Sequence, residues 1–187
     1  MSQILLVFAM EQESQDVFDD YTVLHTGIGK VNASYGLTSY LKVQQPDLVV
    51  NMGTAGSRKH LGGLVLNPTS FVQRDMDVTA LGFEPFQTPF SSDPVVLEYG
   101  VSVPGLSQGV CGTGDSFDVS EAAEAFDVVD MEAHALAIIC QRESVPFLCL
   151  KYISDGADGD AEQDWNASLH QTAEKLRDAL EQSLKEI

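Results

Sequence analysis

Basic residues are scarce in this chain. Ten Lys and Arg stand against 28 Asp and Glu, which leaves a formal net charge of −18 over 187 residues. Such a field repels phosphate backbones and anionic headgroups, so nucleic acid and membrane surfaces are excluded as expected partners. A small neutral ligand stays open. Cysteine is sparse as well. Cys111, Cys140 and Cys149 are odd in number and lie in or beside apolar stretches. Neither they nor His25, His60, His134 and His170 have the spacing of a zinc site. Reduced, buried thiols in a cytoplasmic protein are the expectation. No apolar run approaches the roughly 20 residues of a membrane span. The opening MSQILLVFAMEQE lacks the basic flank of a signal peptide and reads as a first strand. Phosphate-cradling motifs are missing too. TGIGKV at 26–31 lacks the earlier glycine of a P-loop and carries Val31 where Ser or Thr belongs. The acidic run from Asp155 has no glycine at the sixth position of an EF-hand loop.

What is present is alternation. Apolar runs of strand length recur at 4–9, 47–52, 109–112, 128–131 and 146–153. Several are continuous, as in central strands covered on both faces. Segments with helical spacing lie between them, at 30–44, at 120–126 with Ser120 as N-cap, and at 132–143. A long amphipathic tail carries Leu169, Leu176, Leu180 and Leu184 in register. This pattern predicts an α/β sandwich with a largely parallel sheet in a single domain spanning 1–187. The stretch 64–108, richer in Pro, Gly and Ser, reads as irregular strands and loops.

Acids recur at strand ends beside small residues, in FAMEQE (8–13), GTGDSF (112–117), VVDMEA (128–133) and ISDGAD (153–158). Taken singly, such acids more often cap helices or close turns than catalyse. NMGTAG at 51–56 reads as a sheet-edge turn whose bare backbone lets a ligand come close. Together these stretches put at least three carboxyl groups and several apolar faces along one rim of one sheet. Breaking a glycosidic bond uses that equipment: an acid for the leaving group, a base for water, and negative charge near an oxocarbenium-like centre.

The ordered set AMEQE, GIGKVNA, NMGTAG, DMDVTALGF, GTGDSF, VDMEAHALA and ISDGAD resembles the nucleoside phosphorylase superfamily, and within it the 5′-methylthioadenosine/S-adenosylhomocysteine nucleosidases. The likeness runs in order from about residue 4 to 165. It implies a three-layer αβα sandwich around a twisted, mixed, largely parallel sheet. It also implies cofactor-free hydrolysis of the N-glycosidic bond of an adenine (thio)nucleoside, in a homodimer. By that resemblance Asp155 serves purine N7, beside Ser154, and Glu13 orients and activates the water. Glu132 holds the ribose hydroxyls with Met131 under the sugar, and Phe117 stacks on the base. Met10 and Ile28 flank the sugar and its 5′ substituent. Val78, Leu81 and Phe83 match an apolar loop that crosses into the partner's pocket, and Trp165 caps that pocket. Lys151 stands where the family carries an Arg that fixes the water, and Thr54 replaces a Ser nearby. The chain is shorter between Glu13 and Gly27 and between 90 and 108. Hydrolysis is favoured over phosphorolysis because no basic residue precedes Lys30, and Glu11 and Glu13 occupy the N-terminal loop. Two alternatives stay open: a nucleosidase for another purine nucleoside, of futalosine or inosine type, and a nucleoside-binding paralogue without turnover.

Overall fold

In the computed structural model, residues 3–118, 120–158 and 161–187 are described. Strand β1 (Ile4–Phe8) divides its side chains between two cores. Leu5 and Val7 join the core that α2 (Lys30–Leu41) and α3 (Ala133–Glu143) complete with Ala33, Leu37, Ala133 and Leu136. Leu6 and Phe8 face the other way, onto Leu176 and Leu180 of α4 (Ala161–Glu186). Strands β3 (Leu48–Gly56) and β8 (Phe147–Asp155) divide their residues likewise, which accounts for their unbroken apolar runs. They pair in parallel from Val49–Phe147 to Gly56–Asp155, with a register shift between Ala55 and Gly56.

The remaining strands are β2 (Thr22–His25), β4 (Val65–Gln73), β5 (Leu97–Glu98), β6 (Gln108–Thr113) and β7 (Val128–Asp130). Their order is β2-β1-β3-β7-β6-β4-β5, and β8 pairs with both β3 and β4. Parallel pairs predominate, as the sequence predicted. The plain sandwich does not hold, because β3, β7, β6, β4 and β8 close into a ring. The physical cause is β4. Val65 and Leu66 pair antiparallel with β8, whereas Asn67 onward pairs in parallel with β6 across a register shift between Pro68 and Ser70. A strand that serves two neighbours through such an irregularity turns the sheet through a corner.

Three local readings change. Residues 65–73 are one nine-residue strand and not part of an irregular stretch; Pro68 hides it in the sequence. Residues 120–126 form a 3-10 turn, Glu121–Ala125, capped by the Ser120 hydroxyl accepting from Ala122 N–H. NMGTAG is the end of β3 and not a turn. The short segment after Glu13 leads into edge strand β2, parallel to β1. Arg177 of α4 holds that segment, donating to the Val17 carbonyl at 3.0 Å and to both Asp20 oxygens. Phe18 packs on Phe8 beneath it. All three cysteines are buried and free. Among the described residues no helix is long and apolar enough to cross a membrane.

Candidate functional site

The carboxyl ends of β3, β7 and β8 meet the turn after β1, and four acids converge there. Beyond β1 the chain enters the one-turn helix α1 (Glu11–Ser14). Glu13, in α1, is almost wholly buried. Its Oε1 accepts from the Thr54 N–H and the Thr54 hydroxyl, both at 2.8 Å, and its Oε2 accepts from Met10 N–H at 3.3 Å. The Trp165 indole N–H donates to the same Thr54 hydroxyl at 3.1 Å. A relay from Trp165 through Thr54 therefore fixes the Glu13 carboxylate.

Asp155 closes β8. Its Oδ2 accepts from the Ser154 hydroxyl at 2.7 Å and its Oδ1 from Ala157 N–H at 2.9 Å. The glycines of NMGTAG also serve the acids, and Gly56 itself borders the cavity beside them. A Cβ on Gly53 would lie 2.9 Å from Glu13 Oε1, and one on Gly56 would lie 2.7 Å from Asp155 Oδ1. The missing side chains make room for the two carboxylates.

Glu132 sits where α3 begins, and its Oε1 accepts from Gly29 N–H at 2.8 Å. The helix end is satisfied instead by Asp130, whose Oδ2 accepts from Ala133 N–H at 2.9 Å. Asp130 also accepts from the Thr113 hydroxyl at 2.5 Å and pairs with Lys151 Nζ at 2.8 Å. Burial would raise the Asp130 pKa and lower that of Lys151. Burial is the largest single influence on each. For Asp130 the Lys151 charge and the hydrogen bonds from Lys151, Thr113 and Ala133 together outweigh it. For Lys151 the Asp130 charge with other nearby negative groups does, so Asp130 is held low, Lys151 high, and both stay ionised.

Glu132 has no such partner. Burial and the nearby Asp130 charge push its pKa up to about 7, restrained by Lys151 and the Gly29 N–H. Its folded pKa therefore lies above its unfolded one. The folded state binds the extra proton, and Glu132's contribution to stability is lost as pH rises from about 4.5 to about 7. Glu132→Gln is expected to remove this loss. The stability difference between variant and wild type, read by urea unfolding of the unliganded protein, should shift in the variant's favour by on the order of 3 kcal/mol across that window. A difference that stays flat from pH 4.5 to 8 would refute the assignment.

These groups border a cavity of about 360 Å³, within the range of small-molecule sites. Met10, Glu13, Ile28, Thr54 and Phe117 line it, as do Met131, Glu132, Ser154, Asp155 and Trp165. Lys151 does not, because its ammonium is turned onto Asp130. Nor do Val78, Leu81 and Phe83, which lie in the segment after β4, with Leu81 exposed. Four polar lining residues were not singled out from the sequence: Arg74, Ser116, Asp118 and Asp130. The last three adjoin or interrupt stretches already marked as strand-end acids, so adjacency was the available signal. Arg74 had none beyond preceding DMDVTALGF. Among the described residues no three His, Cys, Asp or Glu side chains converge as a metal site.

Carboxylates thus gather at the strand ends of a ring-closed mixed sheet and border one cavity. The family model described as the phosphorylase superfamily matches residues 17–187, and the chain belongs to that superfamily. Similar relatives are 5′-methylthioadenosine/S-adenosylhomocysteine nucleosidases. That of Haemophilus influenzae is 36% identical, with 76% of this chain and 71% of the relative covered. That of Bacillus cytotoxicus is 32% identical, with 88% and 80% covered. Among solved structures, the Helicobacter pylori enzyme of the same name, bound to butyl-thio-DADMe-Immucillin-A, superposes with a TM-score of 0.90 at 23% identity, covering 100% of this chain and 99% of that one. Futalosine hydrolase of Helicobacter pylori gives 0.89 at 23% identity, covering 100% and 98%, so the fold is common to both activities.

Proposed function

We propose that this chain is a purine nucleosidase that hydrolyses the N-glycosidic bond of adenine nucleosides, 5′-alkylthio nucleosides above all. The observation that carries the reading is the arrangement of Glu13, Glu132 and Asp155. They come from three separate elements, each is held by backbone or hydroxyl donors, and all border one cavity. In this reading Asp155 gives a proton or hydrogen bond to N7 and draws electrons into the base as the C1′–N9 bond breaks. Glu132 accepts from the ribose hydroxyls. Glu13 takes a proton from the water that forms the new bond at C1′, and the negative site favours the oxocarbenium-like state between the two steps. Phe117 stacks on the base, while Met10, Ile28 and Met131 supply the apolar faces around the sugar.

Water is favoured over phosphate as the acceptor by the distribution of charge. Among the described lining residues Arg74 alone is basic, and it is committed to Asp118 and Ser116. Lys151 is committed to Asp130. An anion beside Glu13 would meet a carboxylate and no cation. The segment after β4 supports a homodimer as part of the same proposal. Leu81 and Phe90 are exposed there, and Phe83 packs edge-on to Phe90 at 5.4 Å. Such an apolar loop fits the partner's 5′-substituent pocket.

The test is chromatographic detection of free adenine from 5′-methylthioadenosine with and without phosphate, alongside adenosine and inosine. Equal release in both buffers, fastest with the thionucleoside, is the expected result. Release only with phosphate would overturn the choice of water. No base from any nucleoside would leave a binding protein.

A further inference from the structure

Glu13 rides on an element too short to hold itself. Helix α1 is one turn long, and Gln15 at its end has φ 50°, a region that residues with a side chain seldom occupy. Its ties come from outside. The Ser14 hydroxyl meets His25 Nε2 at 2.8 Å, and Gln15 donates through Nε2 to the Leu169 carbonyl of α4 at 3.1 Å. One turn before Leu169 on the same helix stands Trp165, whose indole donates to Thr54. Helix α4 therefore grips Glu13 twice, once through the backbone that carries it and once through its carboxylate.

Counting donors and acceptors gives the second grip a direction. An indole N–H only donates, a threonine hydroxyl has one hydrogen and two lone pairs, and an ionised carboxylate only accepts. Trp165 N–H takes a lone pair of Thr54 Oγ1, and the single hydroxyl hydrogen points to Glu13 Oε1. The β-branched threonine is stiff at χ1, which keeps that hydrogen aimed. Oε1 accepts from Thr54 N–H as well, so both its acceptor positions are filled. Oε2 accepts once, from Met10 N–H at the longer distance of 3.3 Å. A carboxylate has about four acceptor positions, so Oε2 keeps one. A proton arriving there leaves every bond of the relay in place. A proton on Oε1 would displace one of the two Thr54 donors.

We propose that Trp165 is a positioning residue for hydrolysis: through Thr54 its N–H keeps Oε1 occupied and makes Oε2 the atom that takes the proton from water. This rests on the reading of Glu13 as the group that activates water. As the water oxygen bonds to C1′, its proton passes to Oε2 and the C1′–N9 electron pair leaves with the purine. A phenyl ring in place of the indole keeps an apolar face toward the cavity and removes the N–H. The Thr54 hydroxyl is then free to turn to another acceptor, Oε1 regains an open position, and the carboxylate is no longer held to one presentation.

The experiment compares kcat and KM on 5′-methylthioadenosine in Trp165→Phe, Thr54→Val and the double variant, with melting curves to confirm folding. Valine keeps the branched shape of threonine and removes the hydroxyl. Trp165→Phe should lower kcat by about tenfold with KM within a few-fold, and in the Thr54→Val background the same change should cost less than about twofold. In a Thr54→Ser background, which keeps the hydroxyl, the loss from Trp165→Phe should return. Equal factors in the wild-type and Thr54→Val backgrounds, or a raised KM with kcat kept, would make Trp165 a ligand contact alone and overturn the proposal.

Trp165 is the only tryptophan of the chain, so its indole N–H gives one proton NMR signal that reads the relay without turnover. The signal should move upfield in Thr54→Val and, by less, in Glu13→Gln, which removes the charge at the far end of the relay. Turnover by wild type with a signal unmoved in Glu13→Gln overturns this proposal and leaves hydrolysis standing. No base released by wild type, with a signal that moves in both variants, overturns the hydrolytic reading and leaves the coupling of Trp165 to Glu13 standing.

Discussion

Glu13→Gln is expected to lower kcat on 5′-methylthioadenosine by about 10²–10⁴-fold while KM stays within a few-fold. The substitution keeps the shape of the side chain, and its carbonyl oxygen can still accept from Thr54 N–H where Oε1 now does at 2.8 Å. What it removes is the capacity to take a proton from water. Three hydrogen bonds already fix the orientation of Glu13, as the proposed role of base requires. Steady-state kinetics with a melting curve would check this. A variant with unchanged kcat and a native melting temperature would remove Glu13 from the reaction and shift the base's role to another acid.

Lys151→Met should be the most damaging single change to stability, by about 3–5 kcal/mol in urea unfolding. Met replaces the apolar stem and removes the ammonium, leaving the Asp130 carboxylate buried beside Thr113 and the start of α3 with no countercharge. Adding Asp130→Asn to Lys151→Met should recover part of the loss, because the uncompensated charge is then gone while an acceptor for Ala133 N–H remains. Equal instability of the single and double variants would show that packing, and not charge pairing, makes Lys151 indispensable. The resemblance assigned this position to holding the water. A lysine with a single ammonium, already bonded to Asp130, cannot offer the paired donors of an arginine to a second partner.

The layout of the fold was legible where residues are pinned by burial on both faces. β1, β3 and β8 show unbroken apolar runs because each faces a helix on either side. The ring closure was not legible, since it depends on β4 changing partners between Leu66 and Asn67, next to Pro68, a residue that in isolation argues against a strand. Ten of the fourteen residues singled out for the site line the cavity, because acids at strand ends beside small residues are a local pattern that topology then gathers. Arg74 and Asp118 escaped because their significance is the pair. They lie far apart along the chain and meet only when β4 and β6 lie side by side. The glycines of β3 were noticed, but not the room they leave for Glu13 and Asp155. Sequence shows that a side chain is missing, not which neighbour fills the space.

The closed ring also bears on how the chain comes to be folded as it is made. β8 pairs with β3 roughly a hundred residues earlier and with β4 some 85 residues earlier, so the last strand synthesised is the one that seals the barrel. Until it emerges, β3 and β4 each present an unpaired apolar edge, and the pocket has neither Asp155 nor Trp165. Ring closure and completion of the cavity are therefore one late event. Nascent chains stalled before β8 should associate through those edges and recruit chaperones, whereas chains that have released both β8 and the α4 that covers its outer core should not.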